Sequence, residues 1–267
     1  MSNLLQNKKG IIFGALDERS IAWKVAEKVH EQGGQFVLSN APVAMRMGKI
    51  NELAEKCGTV VVPADATSME DLGKLFDTAT ERFGKLDFVL HSIGMSPNVR
   101  KDKSYTDLNH DWFLKTLDIS GLSFHKVLQT AYNKDAMNEW GSILALSYIA
   151  AQEAYPFYGD MADAKAVLES IARSFGYHFG IKNKVRVNTI SQSPTVTSAG
   201  SGIAGFDKFF DFANDMSPLG NADADSCADY CVAMFSDLTR YVTMQNLFHD
   251  GGYSTTGISS KVMDKWS

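Results

Sequence analysis

The sequence has no hydrophobic run long enough to span a membrane, and its first residues, MSNLLQNKKG, lack the apolar core of a signal peptide. Cysteine is scarce, because the chain has only Cys57, Cys227 and Cys231 and no CxxC spacing. Cys227 and Cys231 lie one helical turn apart with no histidine near them in sequence, so we interpret them as buried thiols and predict no metal site. These absences predict a soluble protein of the reducing cytoplasm.

Positive charge is not in excess either, because the formal net charge of the chain is −5. Such a chain has no overall positive field towards nucleic acid or an anionic membrane, and we expect neither as a partner. Hydrophobic residues make up 45% of the chain and charged residues 21%, as in ordinary globular proteins. No linker, repeat or low-complexity tract divides the sequence, so we predict one domain over residues 1–267.

Short apolar runs alternate with amphipathic segments along most of the chain. Seven runs are typical of β-strands: 10–14, 35–39, 59–65, 86–92, 141–147, 185–191 and 245–250. The helical candidates between them are 20–33, 68–83, 107–134, 158–179 and 223–236. Near-continuous hydrophobicity suits strands that are covered on both faces, and the repeated strand–helix order implies right-handed crossovers. We therefore predict an α/β fold: a Rossmann-like, doubly wound parallel sheet of about seven strands with helices on both faces.

The turn after the first run, FGALDERSIA, has no GxGxxG pattern. Gly14 permits a tight turn, and Ser20 stands where it can cap the next helix or contact a phosphate at the helix N-terminus. A generic strand–turn–helix unit and a dinucleotide site both fit this stretch.

The ends of the second and third runs bear on the cofactor. The second run ends in SNAP, residues 39–42, without the Asp or Glu that commonly binds the ribose of NAD. Arg46 follows, either as a solvated side chain or as a contact for the 2′-phosphate of NADPH. Asp65 ends the third run, where it can accept a hydrogen bond from adenine, cap the next helix, or do both.

Residues 191–220 interrupt the alternation of strands and helices. Small and polar residues, SQSPTVTSAGSG, lead into a short amphipathic segment with Phe206, Phe209, Phe210 and Phe212. A connection of this length without a strand usually has a function, and this one follows the carboxyl end of a strand, where open α/β sheets bind ligands. We predict that residues 195–216 form a mobile substrate lid with an apolar underside made by the phenylalanines.

The most specific pattern lies in SYIAAQEAYPFYGDMADAK, residues 147–165. Residues seven apart on a helix are two turns apart, so Tyr158 and Lys165 share one face. Tyr148 lies ten residues before Tyr158. Aromatic core packing with a solvated lysine is the alternative to a catalytic role.

Together with HSIG at 91–94, this pattern resembles the short-chain dehydrogenase/reductase superfamily and, within it, the bacterial NADH-dependent enoyl-acyl-carrier-protein reductases. The resemblance covers essentially the whole chain. Most superfamily members have Tyr-x3-Lys with an upstream serine, whereas Tyr-x6-Lys with an earlier tyrosine is typical of the enoyl reductases. The other matching motifs are Gly14-x5-Ser20-x-Ala22, Asp65, Ser92-Ile93-Gly94, LDIS at 117–120, RVNTIS at 186–191 and HDGG at 249–252.

The resemblance implies reduction of the trans-2 double bond of an enoyl thioester on acyl carrier protein by hydride transfer from NADH, the last reductive step of type II fatty acid elongation. Tyr158 would donate to the enolate oxygen, Lys165 would hold the nicotinamide ribose, and Tyr148 would line the acyl pocket. It also implies a homotetramer. The remaining implied cofactor-binding residues are Gly14, Ser20, Ile21, Asp65, Ala66, Ser92, Ile93, Gly94, Pro194, Thr195 and Thr197, and the remaining implied substrate-binding residues are Met95, Ser96 and Met161.

Several residues keep a second interpretation. Met161 either faces the substrate or fills a gap in the core. Tyr155 matches no family role, and we expect it to pack in the core or at the rim. His91 matches a family position beneath the nucleotide, so we do not expect it to act as a base. Where the resembled reductases present basic lid residues to the carrier, this chain has Lys208 between acids, so we expect weaker or displaced docking.

Two other functions are alternatives to enoyl reduction. A carbonyl-reducing member of the superfamily would need a lysine in place of Ala162 to complete Tyr-x3-Lys with Tyr158. A protein that only senses nicotinamide nucleotide would be indicated by loss of Tyr158 or Lys165, and both are present. Since no basic residue directly follows the second run, we expect NADH rather than NADPH.

Overall fold

A computed structural model of the chain describes residues 3–46, 48–198, 200 and 205–266. These residues form a six-stranded sheet in the order β2-β1-β3-β4-β5-β6, and every neighbouring pair is parallel. The predicted doubly wound parallel fold is confirmed. The strands are β1 Lys9–Phe13, β2 Gln35–Ser39, β3 Leu86–His91, β4 Met137–Ser147, β5 Arg186–Gln192 and β6 Asn246–His249.

Helices cover both faces of the sheet. One hydrophobic cluster packs α1, α3 and α10 against one face, and another packs α4, α7 and α8 against the other. No helix within the described ranges is long and apolar enough to cross a membrane. The α-helices are α1 Ile21–Glu31, α2 Pro42–Met45, α3 Ile50–Lys56, α4 Met69–Phe83, α5 Pro97–Arg100, α6 His110–Leu117, α7 Ser123–Asn133, α8 Asp160–Asn183, α9 Phe206–Met216, α10 Ala224–Phe235 and α11 Ser260–Met263; short 3₁₀ turns are Tyr105–Asp107, Ile149–Ala151, Asp237–Thr239, Tyr253–Thr255 and Asp264–Trp266.

The expectation of about seven strands is wrong by one, because the run 59–65 is not a strand of the described sheet. It lies beside β2 and pairs with it at a single position, Leu38 with Val61. Around that pair, Leu38 exchanges backbone hydrogen bonds with Val60 and Val62. Towards Thr59 the ladder does not continue, because the Thr59 hydroxyl, rather than a backbone N–H, donates to the carbonyl of Phe36.

The single helix predicted over 107–134 is also wrong in detail. Helices α6 and α7 are joined without a break by a π-helical turn, Asp118–Leu122. Such turns insert one extra residue into a helix and are frequent at functional sites. Here the turn brings Ser120 against Met95, whose backbone N–H donates to Ser120 Oγ over 2.9 Å. The irregular turn therefore fixes the chain that follows β3.

The strands end at nearly the same level. Phe13 of β1 pairs with Ser39 of β2 and with His91 of β3, and His91 pairs in turn with Ala145 of β4. The residues that follow each strand therefore meet along one edge of the sheet. In open parallel sheets this carboxyl edge is where ligands bind.

A buried arginine ties the opposite end of the sheet to the end of α10. Arg186 begins β5 and is only 2% exposed. Its Nη1 donates to the carbonyl of Met234 over 2.9 Å and to Thr239 Oγ1 over 2.7 Å, and its Nη2 donates to the carbonyl of Ser236 over 3.2 Å. The last carbonyls of a helix have no partner within the helix, so the guanidinium satisfies groups that would otherwise be buried without one.

We expect Arg186→Met to lower the free energy of unfolding by about 3 kcal/mol, because the carbonyls of Ser236 and Thr239 lose the guanidinium donor, whereas that of Met234 still accepts from Ser142 Oγ. Urea denaturation measures this change. Arg173→Met is the matched control, since Arg173 is exposed on α8. Equal stability of the two variants would contradict the role given to Arg186.

Candidate active site

A cavity of about 650 Å³ opens at the carboxyl edge of the sheet, between the strand ends and helices α5, α8 and α9. Asp65 and Ala66 are the two predicted site residues that do not line it. The predicted residues that line it are Gly14, Ser20, Ile21, Ser92, Ile93, Gly94, Met95, Ser96, Tyr148, Tyr158, Met161, Lys165, Pro194, Thr195 and Thr197. The fold thus brings residues from position 14 to position 197 together in one cavity.

The turn from β1 to α1 forms one end of the cavity. Gly14 has φ +95°, and a Cβ atom at this position would lie 1.9 Å from the carbonyl oxygen of Ser92, so only glycine fits. Ser20 is the N-cap residue of α1, but its side chain caps no helix amide: its Oγ accepts from the N–H of Leu16 over 3.2 Å and donates to the carbonyl of Asp17 over 2.7 Å. The first turn of α1 carries no acidic residue. This helix N-terminus therefore suits an anionic group.

Asp65 and Ala66 lie outside the lining. Oδ1 of the exposed Asp65 accepts hydrogen bonds from the backbone N–H and Oγ1 of Thr67, over 2.9 and 2.8 Å. The cap of α4 is Ser68, whose Oγ accepts from the N–H of Asp71 over 3.2 Å. The suggestion that Asp65 caps the helix is therefore wrong, and its contact with adenine stays a prediction.

Lys165 lies deep in the cavity wall and is 7% exposed. Its Nζ donates to the carbonyl of Leu146, at the end of β4, over 2.7 Å. Burial lowers the pKa of Lys165 to about 8, and the charge of Glu169 opposes that shift. Glu169 is also buried, one turn further along α8, where it accepts from Ser147 Oγ over 2.6 Å and from Gln152 Nε2 over 2.9 Å. Sequence analysis did not single out Glu169, because its spacing alone does not distinguish it from a solvated helix residue.

Tyr158 lies just before the start of α8, within the cavity lining. Burial raises the pKa of its hydroxyl, so the group stays protonated at neutral pH and can donate a hydrogen bond. Val99 and Met161 pack in the same apolar cluster as the Tyr158 ring. The tyrosine is therefore a positioned donor in an apolar surrounding.

Tyr148 completes an aromatic group with Tyr155 and Phe209. The Tyr148 ring lies 4.8 Å from the Tyr158 ring and 5.5 Å from the Tyr155 ring, measured between centroids. Phe209, from α9, meets Tyr155 nearly edge-on at 5.7 Å. Tyr155 lines the cavity, so the expectation that it merely packs in the core or at the rim understates its position. Its spacing from Lys165 carries no helical signal because Tyr155 precedes α8.

Met95, Ser96 and Met161 form the wall opposite the strand ends. The Ser96 hydroxyl already donates to Asp160 Oδ1 over 2.6 Å and accepts from the N–H of Val99 over 3.0 Å. It has no proton left for a ligand, so its side chain can only accept there. Met161, 9% exposed, both lines the cavity and packs on Val99, which reconciles its two interpretations.

Pro194, Thr195 and Thr197 follow β5 and line the cavity from the opposite side. The Thr195 hydroxyl donates to the carbonyl of Ser193 over 2.9 Å and accepts from Gln192 Nε2 over 3.2 Å. Thr197 Oγ1 accepts from the N–H of Gly200 over 2.9 Å. These bonds hold the segment in a compact turn at the cavity edge.

The predicted lid, 195–216, is described in part, since residues 199 and 201–204 lie outside the described ranges. Phe206 and Phe209 of α9 line the cavity, and Phe210 packs on Phe206 at 5.9 Å between ring centroids. Phe212 is 48% exposed and does not belong to the lining, so its assignment to the apolar underside is wrong. At about 100° per residue, Phe212 lies about 120° around α9 from Phe206 and about 60° from Phe209, so it is displaced to one side of the face that lines the cavity.

His91 lies at the end of β3, fully buried. Burial and the charge of Lys165 lower its pKa to about 3. Its Nε2 lies 2.8 Å from Ser123 Oγ. The ring is therefore a neutral packing element under the cavity floor. Within the described part of the chain no cluster of His, Cys, Asp and Glu side chains could hold a metal ion.

Comparison with known proteins gives the family. The family model described as "Enoyl-(Acyl carrier protein) reductase" matches residues 14–254. This chain belongs to that reductase family. Among the curated members, the "Enoyl-[acyl-carrier-protein] reductase [NADH] 1" of Rhizobium meliloti is 33% identical, over 97% of this chain and 94% of the relative. The "Enoyl-[acyl-carrier-protein] reductase [NADH] FabI" of Bacillus cereus is 31% identical, over 95% of this chain and 99% of the relative.

Solved structures of the reductase family have the same architecture. The crystal structure of a FabI–NADH complex from Alistipes finegoldii is 62% identical, with a TM-score of 0.97, over 99% of this chain and 94% of that one. The enoyl-[acyl-carrier-protein] reductase (NADH) from Aquifex aeolicus is 31% identical, with a TM-score of 0.88, over 96% and 99%. The similarity extends over nearly the full length of this chain.

Proposed function

We propose that this chain is an NADH-dependent enoyl-acyl-carrier-protein reductase, which reduces the trans-2 double bond of an enoyl thioester in the last reductive step of type II fatty acid elongation. Family membership over nearly the full length supports the reaction and the cofactor. The single observation that carries the proposal for the site is the pairing of Tyr158 and Lys165 in one cavity wall, with the Tyr148 ring 4.8 Å from that of Tyr158.

The residues present fit a reduced dinucleotide. Gly14 leaves no room for a side chain at the turn, and Ser20 leaves the N-terminus of α1 open for a diphosphate. Gly94 lies close to Lys165, since a Cβ there would be in ordinary contact with Lys165 Nζ at 3.9 Å. We assign Lys165 to the ribose hydroxyls and the Pro194–Thr197 segment to the nicotinamide amide. When bound, NADH supplies the hydride that the β-carbon of the substrate accepts.

Tyr158 stabilises the charge that develops on the substrate. As the β-carbon gains a hydride, negative charge appears on the thioester oxygen, and the protonated hydroxyl of Tyr158 donates a hydrogen bond to it. A donor of this kind, fixed in an apolar cavity, is commonly worth ~3 kcal/mol in the transition state. Tyr148, against the Tyr158 ring, lines the space for the acyl chain.

We assign the segment 195–216 to a lid over that acyl chain, because Phe206 and Phe209 give the cavity an apolar wall from α9. We further propose that the substrate arrives on acyl carrier protein, and that the enzyme works as a homotetramer in the cytoplasm, as its family resemblance implies. The exposed face of α9 offers the carrier Lys208 with Asp207 and Asp211 beside it. Such a surface has little long-range attraction for an acidic partner.

The reaction is tested by the loss of NADH absorbance with crotonyl-coenzyme A, run in parallel with a simple aldehyde. We expect turnover of the enoyl thioester and none of the aldehyde. Tyr158→Phe should lower kcat about 100-fold, because the donor to the developing oxyanion is lost, and should leave the NADH Kd within about twofold. Faster turnover of the aldehyde, or equal losses of kcat and NADH affinity, would refute these assignments.

The second prediction concerns pH. Lys165 carries its charge below its pKa of about 8, and the charged form favours the anionic dinucleotide. NADH affinity should therefore be highest below this pKa and fall about tenfold between about pH 7 and pH 9. Fluorescence titration of NADH measures it, with Lys165→Ala as the comparison: this variant should bind weakly and without the decrease. A decrease of the same size in Lys165→Ala would assign the pH dependence to another group.

The third prediction concerns carrier docking. We expect kcat/KM with a carrier-bound enoyl chain to depend only mildly on salt, because Lys208 is flanked by acids. Lys208→Glu should slow reaction with the carrier thioester while leaving the coenzyme A thioester nearly unchanged. Lys101→Glu is the matched control on another exposed part of the molecule, just after α5. A steep salt dependence that Lys101→Glu removes and Lys208→Glu does not would move the carrier to α5.

A further inference from the structure

Asp160 is a buried acid that the mechanism above does not use. It begins α8, two residues after Tyr158, and its side chain is fully buried. Its Oδ1 accepts from Ser96 Oγ over 2.6 Å, and its Oδ2 accepts from Asn98 Nδ2 over 2.8 Å. Both donors are neutral. Two hydrogen bonds and the N-terminus of α8 therefore balance the loss of water around the carboxylate.

The two donors belong to the short helix α5. Ser96 is its N-cap, since its Oγ accepts from the N–H of Val99 over 3.0 Å. Asn98 is fixed in turn by Asn109, because its Nδ2 donates to the Asn109 carbonyl over 3.1 Å and its Oδ1 accepts from the Asn109 N–H over 3.0 Å. The Asn98 amide is thus oriented by the backbone on one side. Only an acceptor suits the position that Asp160 occupies on the other.

Apolar contacts bring the same two elements together. Val99 packs with Met161 and Ala164 of α8, and the Tyr158 ring lies against this cluster. Gly159 has φ +50°, and a Cβ there would be 3.3 Å from Val99 Cγ2, so α5 approaches the start of α8 closely. Ser96, Val99, Tyr158 and Met161 all line the cavity. Helix α5 and Tyr158 therefore form adjoining parts of the cavity wall, and the spacing of α5 from the start of α8 sets the shape of that part of the cavity.

We propose that Asp160 is a positioning residue which, through Ser96 and Asn98, holds α5 at the distance from Tyr158 that the enoyl thioester requires. The proposal rests on the proposed function, because it concerns the substrate side of that cavity. A carboxylate is needed since it accepts on both oxygens. An amide at position 160 would point its NH₂ group towards either Ser96 or Asn98. The Asn98 side-chain amide cannot flip to accept from that group without losing both of its hydrogen bonds to Asn109.

Three variants test this: Asp160→Asn, Asn98→Asp, and the double exchange Asp160→Asn with Asn98→Asp. In the first, the amide at position 160 can no longer accept from both Ser96 and Asn98. In the second, two carboxylates face each other, and the Asn109 carbonyl loses its donor. The exchange restores a donor facing an acceptor between positions 98 and 160, but not the bond to the Asn109 carbonyl. For each variant, kcat and KM with enoyl-coenzyme A thioesters, the NADH Kd and the Tm are measured.

We expect each single variant to raise the thioester KM about tenfold, because a buried group faces an unsuitable partner, while the NADH Kd stays within about twofold. Relative to Asn98→Asp, the exchange should recover part of the KM and of the Tm, because the bond to the Asn109 carbonyl is still missing. A general loss of structure would instead weaken NADH binding and thioester binding together. That joint loss would overturn the proposal, as would an unchanged KM in both single variants.

If Asp160→Asn does not fold, Asn98→Asp and the exchange carry the same comparison. An exchange variant that is no better than Asn98→Asp in Tm and KM then overturns the proposal. Failure of the proposed function gives a different result, because the unsubstituted chain would then oxidise no NADH with any enoyl thioester. Normal turnover by the unsubstituted chain with unaffected variants refutes only the role of Asp160.

Discussion

The hydrogen bond from the Lys165 ammonium to the carbonyl of Leu146 joins the longest helix to the end of a central strand. An ammonium group has three donors, so one bond to the strand leaves two N–H groups for a ligand. The bond also places the lysine at the level where the strands end. If this contact moved, the start of α8 with Met161, and Tyr158 just before it, would shift relative to the strand. The position of this part of the cavity wall therefore depends on a buried charge.

Groups around Lys165 offset part of the free energy that is lost when its charge is buried. Burial lowers the pKa of Lys165, and Glu169 opposes the shift from one turn away. Glu169 is held by Ser147 from the last residue of β4 and by Gln152 from the loop after it. Strand, loop and helix are thus connected through one carboxylate. Removal of water from the cavity by a ligand would strengthen these interactions, because the local dielectric constant would fall.

Much of the fold could be predicted from the sequence because its signals are local. The apolar runs identify five of the six described strands closely. The expectation that Tyr158 and Lys165 share a helix face is wrong, because α8 begins at Asp160, but both residues line the cavity as predicted. The features that were missed depend on tertiary contacts. The π-helical turn leaves the amphipathic period of residues 107–134 nearly intact, so one inserted residue gives no visible signal. Asp160 and Glu169 have the sequence context of solvated helix residues, yet both are buried.

The misassigned run 59–65 shows the limit of a purely hydrophobic criterion. Its valines suit a strand, but a strand also requires a partner along its length, and β2 ends at Ser39 while Thr59 uses its side chain. The run is also only partly buried, with Val60 exposed and Ala64 buried, so its apolar residues do not mark a core strand. Hydrophobicity alone thus predicted a strand where regular pairing is absent.

That segment has a consequence for solubility. Backbone groups of Val60, Val62 and Ala64 point towards β2, so those of Val61 and Pro63 point outwards. Proline has no N–H, and here it occupies the outer rim where an incoming chain would need a donor. This side of the sheet is therefore a poor template for intermolecular strand addition and hence for aggregation. Growth of the sheet by a further strand is therefore disfavoured at this border, which lies opposite to the β6 border.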